Sequence, residues 1–376
     1  MSEFATSFFA PHFDYLSSLS VSCSLSSSRV SLSLTTKNLL NSSDLIYTAK
    51  ILPCLNLCKS KLDFKTLFSA SQAHGAAYLA GAVLNSFFSF CSSRGCNGDY
   101  VNDDGDDCKV AGQVLHLLGS GLIHSDIVTG LACAKALECA FDLGTGGSAA
   151  ASSGEIKNAC DKVLVNLEEG IGKVSGGIHI PPQRLMNKTN QNILQFGHGD
   201  HHDATRVIGL ITAAGYTLNF AACAVGTTAA STTKCVDSLF KILGSDAYKK
   251  ENEVAIKVGE ALALYSLTAA AAAAADVDDD EDFDYEKVSS TGDLATMPPH
   301  LYVIFRLLRR ELLSNLPQTR TATVSAMFVV VAKATELAAL EGPVDGSKEK
   351  KEGGKFVGAV LHFLSELQVR ERGPNP

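Results

Sequence analysis

Tryptophan is absent from the 376-residue sequence, and aromatic residues of all kinds supply only 7% of it. A β-sandwich core draws on aromatic and β-branched side chains, so the shortage argues against one. Ala, Gly, Ser and Thr fill the place, with Leu and Val between them, a composition suited to closely packed helices. Eleven cysteines are present without a single Cys-x-x-Cys, which removes the commonest zinc and thiol-redox patterns. Their odd number, with no evident secretory signal, points to a reducing compartment. There Cys133, Cys139 and Cys223 read as small buried hydrophobes. Basic excess is lacking too. With a net charge of −8, nucleic acid is not an expected partner, because phosphate binding needs a clustered basic surface. The turn holding Arg306, Arg309 and Arg310 reads as a solvated face.

Catalytic signatures are equally scarce. There is no Gly-x-Ser-x-Gly elbow and no Cys set in a catalytic frame. The glycines of GTGGSAAASSG form no phosphate loop, and the acids from Asp278 to Asp282 lack the alternation of a calcium loop. No cofactor and no small-molecule substrate is expected. One stretch, QFGHGDHHDATRVIGLITAAGYTL, gathers His198, Asp200, His201, His202 and Asp203 within six residues. His198 and His202 have the four-residue spacing of zincins, but no Glu lies between them, and further ligands would have to come from distant positions such as His179 and His300. The stretch reads first as a polar loop whose Asp203 caps a helix starting near Ala204. A metal-dependent hydrolase is the weaker alternative.

Long apolar runs are few. Val207 to Thr233 holds 27 residues without a charge, long enough to cross a bilayer. Gly209, Gly215, Asn219 and Gly226 and several hydroxyl residues dilute it, so no membrane span is expected. Two small-residue helices joined near Gly215 fit better.

The helical period recurs along the chain. Residues 1–70 form a Ser-rich leader, expected to be poorly defined or partly disordered; its first forty residues resemble a plastid transit peptide in composition, but Glu3 and Asp14 sit early and the positive charge is thin. HEAT-like helical repeats follow over 71–275, with flexible inserts near 97–109, 144–155 and 172–202. Asp126 is positioned to cap the helix that follows it. Eight acids fall in the eleven residues from Asp276 to Glu286, and 276–297 reads as an acidic disordered linker. Further repeats occupy 298–376. Pro298 and Pro299 open a helix, Pro317 marks a turn, and a second helix begins at Arg320. Near the C-terminus Val357, Leu361 and Leu364 form an uncovered apolar face. Small-residue cores recur as HGAAYLAGAVL, LACAKALECAF, ATRVIGLITAAGY, VAIKVGEALALY and TRTATVSAMFVVV. Each is the second helix of a pair whose apolar face is covered only when the next pair stacks on it. The expected fold is therefore all-α, an α-solenoid of HEAT/armadillo-like helix pairs with polar and acidic inserts. Gly209, Gly259, Ala261, Ala322 and Ala326 are its expected packing positions.

The order of these units resembles that of a known family. TKCVDSLFKILGSDAYKKENEVAIKVGEALALYS, with Glu251, Glu253, Val258, Gly259, Glu260, Ala261 and Leu262, is similar to a repeat of the very large HEAT-repeat proteasome adaptors, the Ecm-type proteasome-associated scaffolds. The following VIFRLLRRELLSNLPQTRTATVSAMFVVVAKATE matches that family's next repeat, a helix, a Ser-x-x-Pro-x-x-Arg turn at Ser314, Pro317 and Arg320, and an Ala-bearing helix. HDATRVIGLITAAGY resembles the preceding helix. The resemblance spans roughly Asp203 to Leu367 and leaves out the Ser-rich leader, and the chain is several-fold shorter than the family's members, which implies a fragment or a divergent member. It implies a non-catalytic scaffold or adaptor, in the cytoplasm or the nucleus, that binds proteasome subunits and contributes to their assembly, stability or quality control. The alternative is an α-solenoid binding module with another client.

Overall fold

The structure, a computed structural model, describes residues 12–23, 25–42, 44–62, 70–93, 106–124, 126–142, 153–177, 199–222, 230–244, 252–275, 308–314 and 317–340. Among these residues there is no strand. The helices are α1 (Phe13–Ser22), α2 (Ser26–Leu40), α3 (Asp44–Lys61), α4 (Ala70–Ser93), α5 (Asp106–Leu122), α6 (Ile127–Phe141), α7 (Gly154–Gly177), α8 (Gly199–Ala222), α9 (Ala230–Gly244), α10 (Asn252–Ala275) and α11 (Pro317–Leu340). A short helical stretch over 308–312 precedes α11.

These helices pack in two layers. In one, α2, α4, α6, α8, α10 and α11 lie side by side in that order; in the other, α3, α5, α7 and α9 do the same. The layers meet through the pairs α3–α4, α5–α6, α7–α8 and α9–α10, and α1 packs against α2 and α4. This is an all-α solenoid of helix pairs. The five small-residue cores read from the sequence fall on α4, α6, α8, α10 and α11, consecutive members of one layer.

Small residues are there because the backbones nearly touch. A Cβ added at Gly81 of α4 would lie 2.5 Å from the carbonyl oxygen of Ala136 in α6. At Gly215 of α8 it would lie 2.8 Å from both Cα and Cβ of Ala261 in α10. Side chains cannot occupy such gaps, so only glycine lets these helices approach. Three of the rare aromatic rings then lock the C-terminal ends of the same helices together. Phe88 of α4, Phe141 of α6 and Phe220 of α8 are buried, with ring centroids 5.7 Å (Phe88–Phe141), 4.9 Å (Phe88–Phe220) and 4.6 Å (Phe141–Phe220) apart. Each buried ring contributes on the order of 2 kcal/mol by area alone.

Four expectations change. The Ser-rich segment is not a leader apart from the repeats: α1 to α3 lie within it, and Phe13, Leu39, Leu40, Ile51 and Leu55 are part of the core. Several of its hydroxyls bond back to their own helices. Ser17 Oγ donates to the Phe13 carbonyl at 2.9 Å, Thr35 Oγ1 to Ser31 at 2.9 Å and Thr36 Oγ1 to Leu32 at 3.0 Å. Satisfied in this way, small polar side chains can be buried without breaking a helix. Second, α8 runs unbroken through Gly215, which is a contact point and not a joint. Third, the inserts are shorter than expected at their edges: α5 already starts at Asp106, α7 starts at Gly154 and continues to Gly177, and α8 starts at Gly199. Fourth, Pro317 is the first residue of α11, where its fixed φ suits helix entry and its missing N–H leaves no bond unmade. The linker at 276–297, the helix opening at Pro298 and Pro299, and the face at Val357, Leu361 and Leu364 lie outside the described residues. Among the described residues no helix is long and apolar enough to cross a membrane.

The helix contacts predict opposite signs for one chemical change. Gly81→Ala and Gly215→Ala each gain about 1 kcal/mol of helix propensity but overfill a backbone contact, and should lose about 2 kcal/mol net. Gly172→Ala, in α7 with nothing within 4 Å of the added Cβ, should gain about 0.5–1 kcal/mol. Urea unfolding of the three variants checks the pattern; equal effects at all three sites would remove the contact argument.

Candidate functional site

Among the described residues, a set of connected polar groups crosses the second-helix layer, beginning with the turn between α5 and α6. Asp126 is the N-cap of α6, as its sequence position suggests: its Oδ2 accepts from the Thr129 amide at 3.0 Å. The same oxygen accepts the Thr129 hydroxyl at 2.6 Å. His74 reaches in from α4, its Nε2 2.8 Å from Thr129 Oγ1 and 3.5 Å from Asp126 Oδ2. Because the threonine proton is already directed at Asp126, His74 Nε2 must be the donor to Thr129, which fixes its tautomer. From α8, Arg206 Nη2 donates to the carbonyls of His124 at 3.0 Å and Leu122 at 3.4 Å, closing the end of α5. One node thus ties α4, α5, α6 and α8.

Threonine, histidine and aspartate in contact invite a catalytic reading, and the geometry refuses it. Thr129 is only 1% exposed, and its proton is held by Asp126 instead of by His74. A nucleophile needs the base to take that proton and a reacting atom to reach it. Burial pushes the His74 imidazole below its usual range; neighbouring Asp126 pulls it back in part, and Arg29 and His124 add to the lowering. Burial alone would raise Asp126, but its bonds from the Thr129 hydroxyl and the Thr129 and Val128 amides outweigh that, and its carboxyl lies below the ordinary value. The node is a neutral histidine on a capping carboxylate.

A second set of polar groups crosses the same layer further on. Asn85 Nδ2 of α4 donates to the carbonyls of Cys139 and Asp142, both at 2.8 Å, and so closes the end of α6. Thr268 of α10 is hydrogen-bonded to Asn219 of α8. The charges pair locally, Lys135 with Glu138 at 2.6 Å and Lys257 with Glu260 at 2.7 Å. Burial pushes the Glu260 carboxyl up more than Lys257 pulls it down. Tyr216 is raised by burial, with Asp142, Glu138 and Glu260 adding to it. Asn85, Asn219 and Thr268 are buried and join neighbouring helices, while the two Lys–Glu pairs lie within single helices.

The expected packing positions fall as follows. Gly209 of α8 faces α6, where an added Cβ would meet Leu131 Cδ2 at 2.9 Å. Ala261 is the partner of Gly215, and Gly259 is buried one turn before Leu262 on the same helix. Ala326 is fully buried and Ala322 half-buried against the core on α11. Asp203 is not a cap: α8 begins at Gly199, so its backbone is already inside the helix. Nothing after Gly199 forbids a helix, since His and Asp are less favourable there than Ala by under about 1 kcal/mol each. His198 and the side chains from Asp200 to Asp203 lie outside the described residues, so the metal alternative is not addressed there. Elsewhere, among the described residues, no three His, Cys, Asp or Glu side chains gather as a metal site. Cys133 is a buried hydrophobe whose thiol burial pushes far up. Cys139 is only half-buried, and Cys223 lies outside the described residues.

Sequence reasoning found Asp126 from its place before an apolar helix. It missed His74, Arg206 and Asn85, whose partners lie 55, 82 and 54 positions away.

Acid should loosen the node. The folded state holds His74 below the ordinary histidine value of 6.5, so as pH falls through that value the unfolded chain takes up a proton that the folded chain resists. Stability is then lost on acidification below pH 6.5 and retained above it. His74→Gln keeps a donor toward Thr129 and cannot titrate. Its unfolding free energy should fall less than that of the parent between pH 7.5 and 5; parallel curves would contradict this.

No family model, no curated protein and no solved structure matches this chain.

Proposed function

We propose that this chain is a non-catalytic scaffold or adaptor that binds the proteasome and contributes to its assembly, stability or quality control. The observation that carries the reading is the unbroken second-helix layer, from α2 through α11. Stacked helix pairs contact only their neighbours and expose an extended surface suited to docking proteins. The polar groups described above cap helix ends and pair locally along this layer, as a docking scaffold requires.

The client comes from the sequence resemblance, and two of its motifs have a physical role here. In Val258-Gly-Glu-Ala-Leu262, Gly259 and Ala261 are buried where α10 lies in the layer, while Glu260 pairs with Lys257. In Ser314-x-x-Pro-x-x-Arg320, Arg320 Nη1 donates to the Ser314 carbonyl at 2.7 Å, which folds the turn back over the end of the preceding helical stretch. Such a scaffold would act in the cytoplasm or the nucleus, without a small-molecule substrate.

Affinity purification of the tagged chain from its native cells, followed by mass spectrometry, tests the reading. Proteasome subunits should be enriched over abundance-matched controls, and Gly215→Ala should weaken the recovery along with the fold. Recovery of a different complex without proteasome subunits would transfer the function to a binding module with another client.

A further inference from the structure

We draw no further inference here: the strongest candidate, the cluster of carboxylates that Glu138 and Asp142 of α6 and Glu260 of α10 place about Tyr216 of α8, is an acidic cluster in which Glu138 and Glu260 already pair with Lys135 and Lys257 on their own helices, and nothing among the described residues points to a ligand there.

Discussion

At Gly81 the backbone of α4 lies so close to α6 that a methyl group there would sit 2.5 Å from the Ala136 carbonyl oxygen, and at Gly215 the backbone of α8 meets Ala261 of α10 in the same manner. Much of the molecule follows from these approaches. Helices this near cannot carry large side chains between them, which accounts for Ala76, Ala77 and Ala80 on α4, Ala132 and Ala136 on α6, and Ala213 and Ala214 on α8, all buried. Three large rings, Phe88, Phe141 and Phe220, meet instead at the C-terminal ends of these helices. A core this poor in aromatics gains its dispersion energy from close backbone contact, many small attractions instead of a few large ones.

The polar groups serve the same layer. Helix ends leave carbonyls and amides without intrahelical partners, and in stacked pairs these ends are crowded by neighbouring helices. Asn85 closes α6 from α4, Arg206 closes α5 from α8, and Asp126 caps α6 itself. The first two ties cross between helix pairs, so adjacent units are held in register by hydrogen bonds as well as by packing. This is also why the Thr129–His74–Asp126 contact is structural: its carboxylate accepts from the Thr129 amide and hydroxyl at the start of α6.

Much of this architecture was legible in the sequence because it rests on local pattern. Small residues at helical spacing marked α4, α6, α8, α10 and α11, and an Asp before an apolar run marked the α6 cap. Where the reading went astray, a residue had two possible uses that differ only in tertiary context. Serine at high density suggests a disordered leader; in α1 it bonds back to its own helix and packs. Glycine inside an apolar run suggests a joint; Gly215 is the place where another helix comes close. Asp203 before an apolar run suggests a cap, yet α8 starts a turn earlier at Gly199. The partners of His74, Arg206 and Asn85 could not be read, since nothing local in a single chain distinguishes a long-range hydrogen bond from a solvated side chain.

Hydrogen exchange measured residue by residue under native conditions tests most directly whether the second-helix layer is what holds the fold together. The slowest amides should lie on α4, α6 and α8 around Gly81, Ala136 and Phe220, and should exchange only on global unfolding, with α3, α7 and α9 opening at lower free energy. Protection concentrated in α3, α7 and α9, or spread evenly over both layers, would contradict the account.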